Sequence, residues 1–205
     1  MERLSLKKVR LRINLGIVGM KGSGKELFPQ YLDHIAIQSQ SKDNIHEYLV
    51  LHQEIPFKIK LVTVEYLDQL IDKNSKFKQF DVLIININIY DTQSINHYTP
   101  SSINEFISKY NFQGLTLLVG VDSYYLEKGV PSEYFRISRL NLRNKTNQLD
   151  FIYCYEIQNK HRDIKEILEQ IFNDISLRFQ TSNPELLDHA RNYGQQLLLK
   201  EKLNR

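Results

Sequence analysis

Residues 11–26 constrain the fold of this 205-residue chain more than any other stretch. An apolar run ends in a glycine-rich turn, and Lys25 and a helix-like segment follow that turn. Gly19, Gly24 and Lys25 have the spacing Gly-x-x-x-x-Gly-Lys, which belongs to loops whose backbone N–H groups and lysine hold phosphates. The pattern therefore predicts a phosphate-binding loop that joins a strand to a helix.

The predicted loop ends on a residue that departs from this pattern. Its eight residues are Gly19, Met20, Lys21, Gly22, Ser23, Gly24, Lys25 and Glu26. The pattern has Ser or Thr after the lysine, and that hydroxyl binds Mg²⁺. A carboxylate can ligate Mg²⁺, but it also places negative charge beside the phosphates, so the expectation of Mg²⁺ is weak. Glu26 is either a metal ligand or a partner of Lys25 that leaves the loop stable without a ligand.

The composition is that of an ordinary globular domain. Hydrophobic residues make up 41% of the chain and charged residues 25%, and the net charge of +3 is too small to indicate nucleic-acid binding. Basic residues at both ends favour at most a peripheral contact with an anionic membrane surface. No run approaches the roughly 20 apolar residues of a membrane span, and the single cysteine cannot form an internal disulfide. We therefore expect a cytoplasmic protein without a transmembrane segment.

Alternating strand and helix patterns predict an α/β fold with a mostly parallel, six-stranded sheet. The nearly continuous apolar run 80–89 is typical of a central parallel strand that is buried on both faces. Two further runs, 47–53 and 58–65, predict an antiparallel hairpin at the edge of the sheet. The polar, non-periodic residues 36–45 predict a loop. Residues 131–140 predict a helix that ends before a polar run.

Two long helices are predicted at the end of the chain. Apolar residues recur at helical spacing over 161–179. Asn183, Pro184 and Glu185 then form a helix-start signal for a second helix over 184–203. We expect a main domain over 1–180 and a helical extension over 181–205. The apolar face of the last helix either packs on the main domain or binds a partner.

The order of elements over about residues 9–180 resembles the Ras-like small GTPase family. Residues 90–94 look like that family's segment after its buried strand, and 117–120 look like the start of its guanine-reading strand. The resemblance implies a P-loop NTPase fold, a Ras-like G domain, with an extra C-terminal helix. It also implies that GTP or GDP binds through residues 19–26.

Several family features are missing. They concern the acid that reaches Mg²⁺, the glutamine that positions water and the residues that read guanine. Residues 62–65 read Val-Thr-Val-Glu where the family has Asp-x-x-Gly, so only Glu65 is available as the acid. Gln69 comes a few residues too late to position a hydrolytic water. Residues 121–124 read Val-Asp-Ser-Tyr in place of Asn-Lys-x-Asp. Asp122 is either a contact to a base or a solvated turn residue. The resemblance thus implies weak or no hydrolysis, and it assigns no catalytic residue.

Three functions follow from these observations. The first is an atypical GTPase-like module that binds a guanine nucleotide and acts through regulated interactions. The second is a pseudo-GTPase scaffold that binds no nucleotide and contacts protein partners through the hairpin 47–65 or the helix 184–203. The third is a small-molecule kinase, in which Arg136, Arg139 and Arg143 form a cationic lid. The antiparallel hairpin argues against the kinase.

Overall fold

The described residues form one seven-stranded sheet with helices on both faces. The computed structural model describes residues 9–42, 45–72, 79–122 and 136–203. The strands in these ranges are β1 (Leu11–Val18), β2 (Gln38–Lys42), β3 (Ile45–His52), β4 (Ile55–Val64), β5 (Val82–Asn88), β6 (Leu115–Val121) and β7 (Tyr153–Ile157). The helices are α1 (Leu27–Ile35), α2 (Leu67–Asp72), α3 (Thr92–Asn96), α4 (Pro100–Tyr110), α5 (Arg139–Gln148), α6 (Lys160–Ser182) and α7 (Pro184–Leu203).

The strand β1 lies at the centre of the sheet, whose strand order is β2-β3-β4-β1-β5-β6-β7. β1 pairs in parallel with β4 on one side and with β5 on the other, and β6 and β7 continue the parallel set. β2 and β3 are antiparallel and form the other edge. The predicted α/β fold with a mostly parallel sheet is confirmed. Because β1 is central, the loop that follows it lies at the middle of the carboxyl edge of the sheet.

Two apolar layers hold the helices against the sheet. The helices α1, α6 and α7 cover one face, and α2, α4 and α5 cover the other. In β5, Val82 and Ile84 belong to the first layer, whereas Leu83 and Ile85 belong to the second. All four side chains are fully buried, which explains why this strand is apolar throughout its length.

The prediction of six strands is wrong because β2 was expected to be a loop. β2 pairs with β3 from Gln38, opposite Leu49, to Lys42, opposite Ile45. All five of its residues are exposed. An edge strand with both faces in solvent needs no apolar residue, so alternation could not reveal it. The predicted hairpin is confirmed, with a tight turn at Gln53 and Glu54, both at positive φ.

The helix predicted over 131–140 is displaced in the structure. Residues 131–135 lie outside the described residues, and α5 occupies the polar run that was expected to follow the helix. Ser138 caps α5 by accepting a hydrogen bond from the Asn141 N–H at 3.1 Å. Leu142 and Thr146 are the buried residues of the helix, so its sequence shows almost no apolar periodicity.

The last helix packs on the main domain, as one of the two alternatives predicted. Leu187 and Ala190 belong to the apolar layer that also contains α1 and α6. Gly194 lies against the hairpin turn, where a Cβ atom would overlap the Glu54 carbonyl oxygen. The side-chain amide of Gln195 donates to Glu54 Oε2 at 2.8 Å. This close approach explains a glycine inside a helix.

We expect Gly194→Ala to destabilise the protein by about 1–3 kcal/mol, because the added methyl group forces α7 away from the turn. An undocked helix would give the opposite sign, since removing glycine from an exposed helix stabilises it by about 1 kcal/mol. The measurement is the free energy of unfolding in urea. Asn192→Ala, at an exposed position of the same helix, is the control. A stabilised Gly194→Ala protein would contradict the docked position of α7.

Candidate functional site

The predicted phosphate loop follows β1 at the carboxyl edge of the sheet. The Gly19 N–H donates to the Val64 carbonyl at 3.0 Å and so continues the pairing of β1 with β4. The Ser23 N–H donates to the Met20 carbonyl at 3.1 Å and closes a turn, and α1 begins at Leu27. In open α/β sheets, ligands bind outside the carboxyl ends of the strands. The loop therefore has the position that a ligand site requires.

The two glycines of the motif are both needed for the shape of the loop. Gly24 has φ of +74°, and a Cβ atom on it would lie 2.6 Å from Val121 Cγ1. Gly19 has no room for a side chain either, because a Cβ atom would overlap the Ser23 hydroxyl. Gly22 also has a positive φ, of 79°. Residues with side chains rarely adopt this left-handed conformation, so the glycine spacing sets the loop conformation.

Lys25 is buried at the start of α1, with 8% of its surface exposed. Its ammonium group donates to the Gly19 carbonyl at 2.6 Å and lies 3.9 Å from Glu65 Oε1. A helix N-terminus carries partial positive charge, which repels a cation and attracts an anion. The ammonium group and the helix together thus make the loop strongly favourable for an anion. Its present partners are a neutral carbonyl oxygen and a half-exposed carboxylate that lies beyond hydrogen-bond distance.

The acidic partner of Lys25 in the structure is Glu65 and not its sequence neighbour Glu26. Glu26 occupies the N-cap position of α1, is exposed, and makes no side-chain capping hydrogen bond. The ion pair of Lys25 is with Glu65, so the alternative in which Glu26 pairs with Lys25 is wrong. The described ranges contain no group of three or more His, Cys, Asp or Glu side chains placed to hold a metal ion. A metal-binding role for Glu26 stays a prediction.

Gln69 has a structural role at the start of α2. Its side-chain carbonyl accepts hydrogen bonds from the backbone N–H of Glu65 at 3.0 Å and of Tyr66 at 3.4 Å. These N–H groups precede the first turn of the helix, so the side chain acts as a cap. Its oxygen is therefore engaged, and the side chain also fixes the backbone next to the acid that faces Lys25.

Two buried polar side chains lie in and beside the loop. Ser23, within the loop, is 1% exposed, and Asn86 on β5 is fully buried. Neither the Ser23 hydroxyl nor the Asn86 side-chain amide finds a hydrogen-bond partner among the described residues. A Cβ atom on Gly19 would lie 2.9 Å from the Asn86 carbonyl oxygen, so Asn86 lies directly beside the loop. The signal for Asn86 was available in the sequence as one of two amides, with Asn88, in an otherwise aliphatic strand.

Asp122 is buried, so its interpretation as a solvated turn residue is wrong. Only 2% of its surface is exposed, and its N–H donates to the Ile157 carbonyl at 3.0 Å. Its carboxylate lies 3.8 Å from the Arg136 guanidinium and accepts a hydrogen bond from the Tyr90 hydroxyl at 3.5 Å. The structure brings Asp122 to the carboxyl edge, beside other charged side chains. A contact to a base stays a prediction.

Two of the three arginines of the predicted lid share one carboxylate. Arg136 and Arg139 both bind the carboxylate of Glu156 on β7, and Arg139 Nε lies 2.7 Å from Glu156 Oε2. The side-chain amide of Gln158 also donates to Glu156 at 2.7 Å. Burial alone raises the pKa of Glu156, but these hydrogen bonds and the two guanidinium charges hold its pKa below the usual value. Glu156 is therefore an ionised anchor at neutral pH.

We expect Asn86→Val to raise the free energy of unfolding of the ligand-free protein by about 1–2 kcal/mol, because a buried amide without a partner costs desolvation energy. Asn88→Val is the matched control on the same strand. The Asn88 side chain accepts a hydrogen bond from the Tyr90 N–H at 3.0 Å, so its loss should lower stability. Chemical denaturation of both variants is the measurement, and equal losses of stability would show that Asn86 is satisfied.

Comparisons with known proteins identify no relative from which a function could be inferred. No family model matches the sequence, and no curated protein matches it. Within the described residues, no helix is both long enough and apolar enough to cross a membrane. What the chain does is therefore inferred from the loop, its lysine and the side chains along the carboxyl edge.

Proposed function

We propose that this chain is a Ras-like nucleotide-binding module that holds the phosphates of a guanine nucleotide in loop 19–26. Hydrolysis is weak or absent, and the module acts through regulated interactions. The observation that carries the proposal is the buried ammonium group of Lys25 at the N-terminus of α1. A buried cation at this position is stabilised by an anion in direct contact. The Glu65 carboxylate lies 3.9 Å from the ammonium group and is half exposed, so a phosphate oxygen would be a closer anionic partner. A phosphate chain is an anion of suitable size and charge.

Phosphate binding would use groups that the loop already presents. Backbone N–H groups at a helix N-terminus after a glycine-rich loop form a general anion site. On binding, Lys25 would exchange the Gly19 carbonyl, 2.6 Å from its ammonium group, for a phosphate oxygen. A hydrogen bond between an ammonium group and a phosphate oxygen joins two opposite charges, whereas the bond to the carbonyl has a neutral acceptor, so the exchange favours the ligand.

The low hydrolytic activity that we propose is supported by the switch region. Glu65 stands where the resemblance implies an acid that reaches Mg²⁺, but its nearest cation is Lys25. The Gln69 side chain caps α2 instead of facing the loop. A water molecule beside the phosphates would therefore lack the glutamine that orients it in related hydrolases. Whether Glu26 binds Mg²⁺ is tested by running the nucleotide titration described below with and without Mg²⁺.

A scaffold that binds no nucleotide is the second candidate, and the two contacts of the Lys25 ammonium group favour it. Because Lys25 already has a carbonyl oxygen and a carboxylate as partners, the loop can be stable when it is empty. A protein partner would then contact the hairpin 47–65 or the helix 184–203. The Leu187 side of that helix is buried against the sheet, so a partner would meet the opposite side. A cytoplasmic location stays a prediction under both candidates.

The test is a titration of the purified full-length chain with fluorescent GDP and GTP, with and without Mg²⁺. We expect binding, and we expect Lys25→Ala to weaken it at least about 30-fold, because the lost charge-assisted hydrogen bond is worth about 2 kcal/mol. Lys109→Ala, which removes an exposed lysine on α4, is the control. No binding at tens of micromolar would favour the scaffold, and binding that survives Lys25→Ala would contradict a nucleotide site in loop 19–26.

A further inference from the structure

A short segment before α5 crosses the carboxyl edge of the sheet. The Ile137 N–H donates to the Ile89 carbonyl at 2.7 Å, directly after β5 ends. The neighbouring Arg136 reaches Glu156 on β7 with its guanidinium group. Since β6 lies between β5 and β7, Arg136 and Ile137 span three strand ends. We use the term edge network for this segment, the arginines on it and at the start of α5, and the two acids that they contact: Arg136, Ile137, Arg139, Asp122 and Glu156.

The edge network joins largely buried carboxylates to more exposed arginines. The Glu156 side chain is 10% exposed and receives hydrogen bonds from Arg136, Arg139 and Gln158. The Arg136 side chain is 34% exposed and the Arg139 side chain 74% exposed. Hydrogen bonds between ionised partners are shorter and stronger than neutral ones. Removing the arginines would be costly, because the Glu156 carboxylate would be left without compensating charge.

The network also includes the acid that the sequence offered for contact with a base. Asp122 follows β6, and its carboxylate lies between the Arg136 guanidinium, at 3.8 Å, and the Tyr90 hydroxyl, at 3.5 Å. Both acidic groups at the ends of β6 and β7 thus face arginine. A base that extended along this edge would have to displace an arginine from a buried carboxylate before it could form its own hydrogen bonds.

The phosphate loop reaches the border of this network. Gly24 contacts Val121, the last residue of β6 and the neighbour of Asp122. Among the described residues, the route from the loop along the carboxyl edge toward β7 passes Asp122 and Arg136. We infer that the site recognises its ligand through the phosphate chain and not through the base. This rests on the proposed function, and it makes GDP, ADP and inorganic pyrophosphate comparable ligands.

Calorimetric titration of the full-length chain with GDP, ADP and pyrophosphate tests this inference. We expect the three dissociation constants to agree within about threefold. A base that is read by hydrogen bonds to charged groups would separate them by about tenfold or more. GDP that binds at least tenfold more tightly than both others would overturn the inference and leave the proposed function standing. No binding of any of the three would overturn both.

A second measurement uses variants of the network. We expect Arg136→Ala to raise the affinity for GDP relative to pyrophosphate at least about threefold, because the edge beside Asp122 opens. Arg191→Ala removes an arginine from an exposed ion pair with Asp188 on α7 and should leave this ratio unchanged. Glu156→Gln keeps the side-chain shape and serves if Arg136→Ala does not fold. A ratio that is unchanged in both network variants would contradict the blocking role.

Discussion

A buried cation at a helix N-terminus is the constraint on which the site depends. Lys25 is held there because the Gly19 carbonyl lies 2.6 Å from its ammonium group and because Glu65 faces it from the end of β4. Both partners follow from the parallel pairing of β1 with β4, which ends at Val18 and Val64, because Gly19 and Glu65 are the next residues of the two strands. The order of the strands in the sheet therefore determines which groups surround the Lys25 ammonium group.

The carboxyl edge of the sheet divides into two regions with different chemistry. Around the loop, N–H groups, a helix N-terminus and Lys25 favour an anion. Beyond Val121, the edge network pairs two carboxylates with two arginines and is close to neutral. A phosphate chain matches the first region, whereas both carboxylates described in the second region already face an arginine. The first region corresponds to the loop that resembles the phosphate loop of small GTPases. The second region corresponds to the positions where the guanine-reading residues of that family are missing.

Sequence patterns predicted the parts of the fold that depend on apolar burial or on backbone conformation. The buried strand β5 and the glycine-rich loop between a strand and a helix are such cases, and the structure shows β5 and a loop in which Gly24 has a positive φ. The strand β2 was missed and the helix α5 was predicted too early in the chain, because hydrogen bonds and a Ser138 cap, not apolar periodicity, define them. Asp122 and Arg136 meet only through the sheet order, so spacing along the chain could not pair them.

The most direct test of phosphate binding at the loop is a ¹⁵N-resolved NMR titration of the full-length chain with inorganic pyrophosphate. The largest shifts should fall on the backbone amides of Gly22, Ser23, Gly24 and Lys25, and they should disappear in Lys25→Ala. These amides lie in the turn that precedes α1. Shifts confined to another basic surface, such as Lys58 and Lys60 on β4, or no shifts at all, would contradict a phosphate site in this loop.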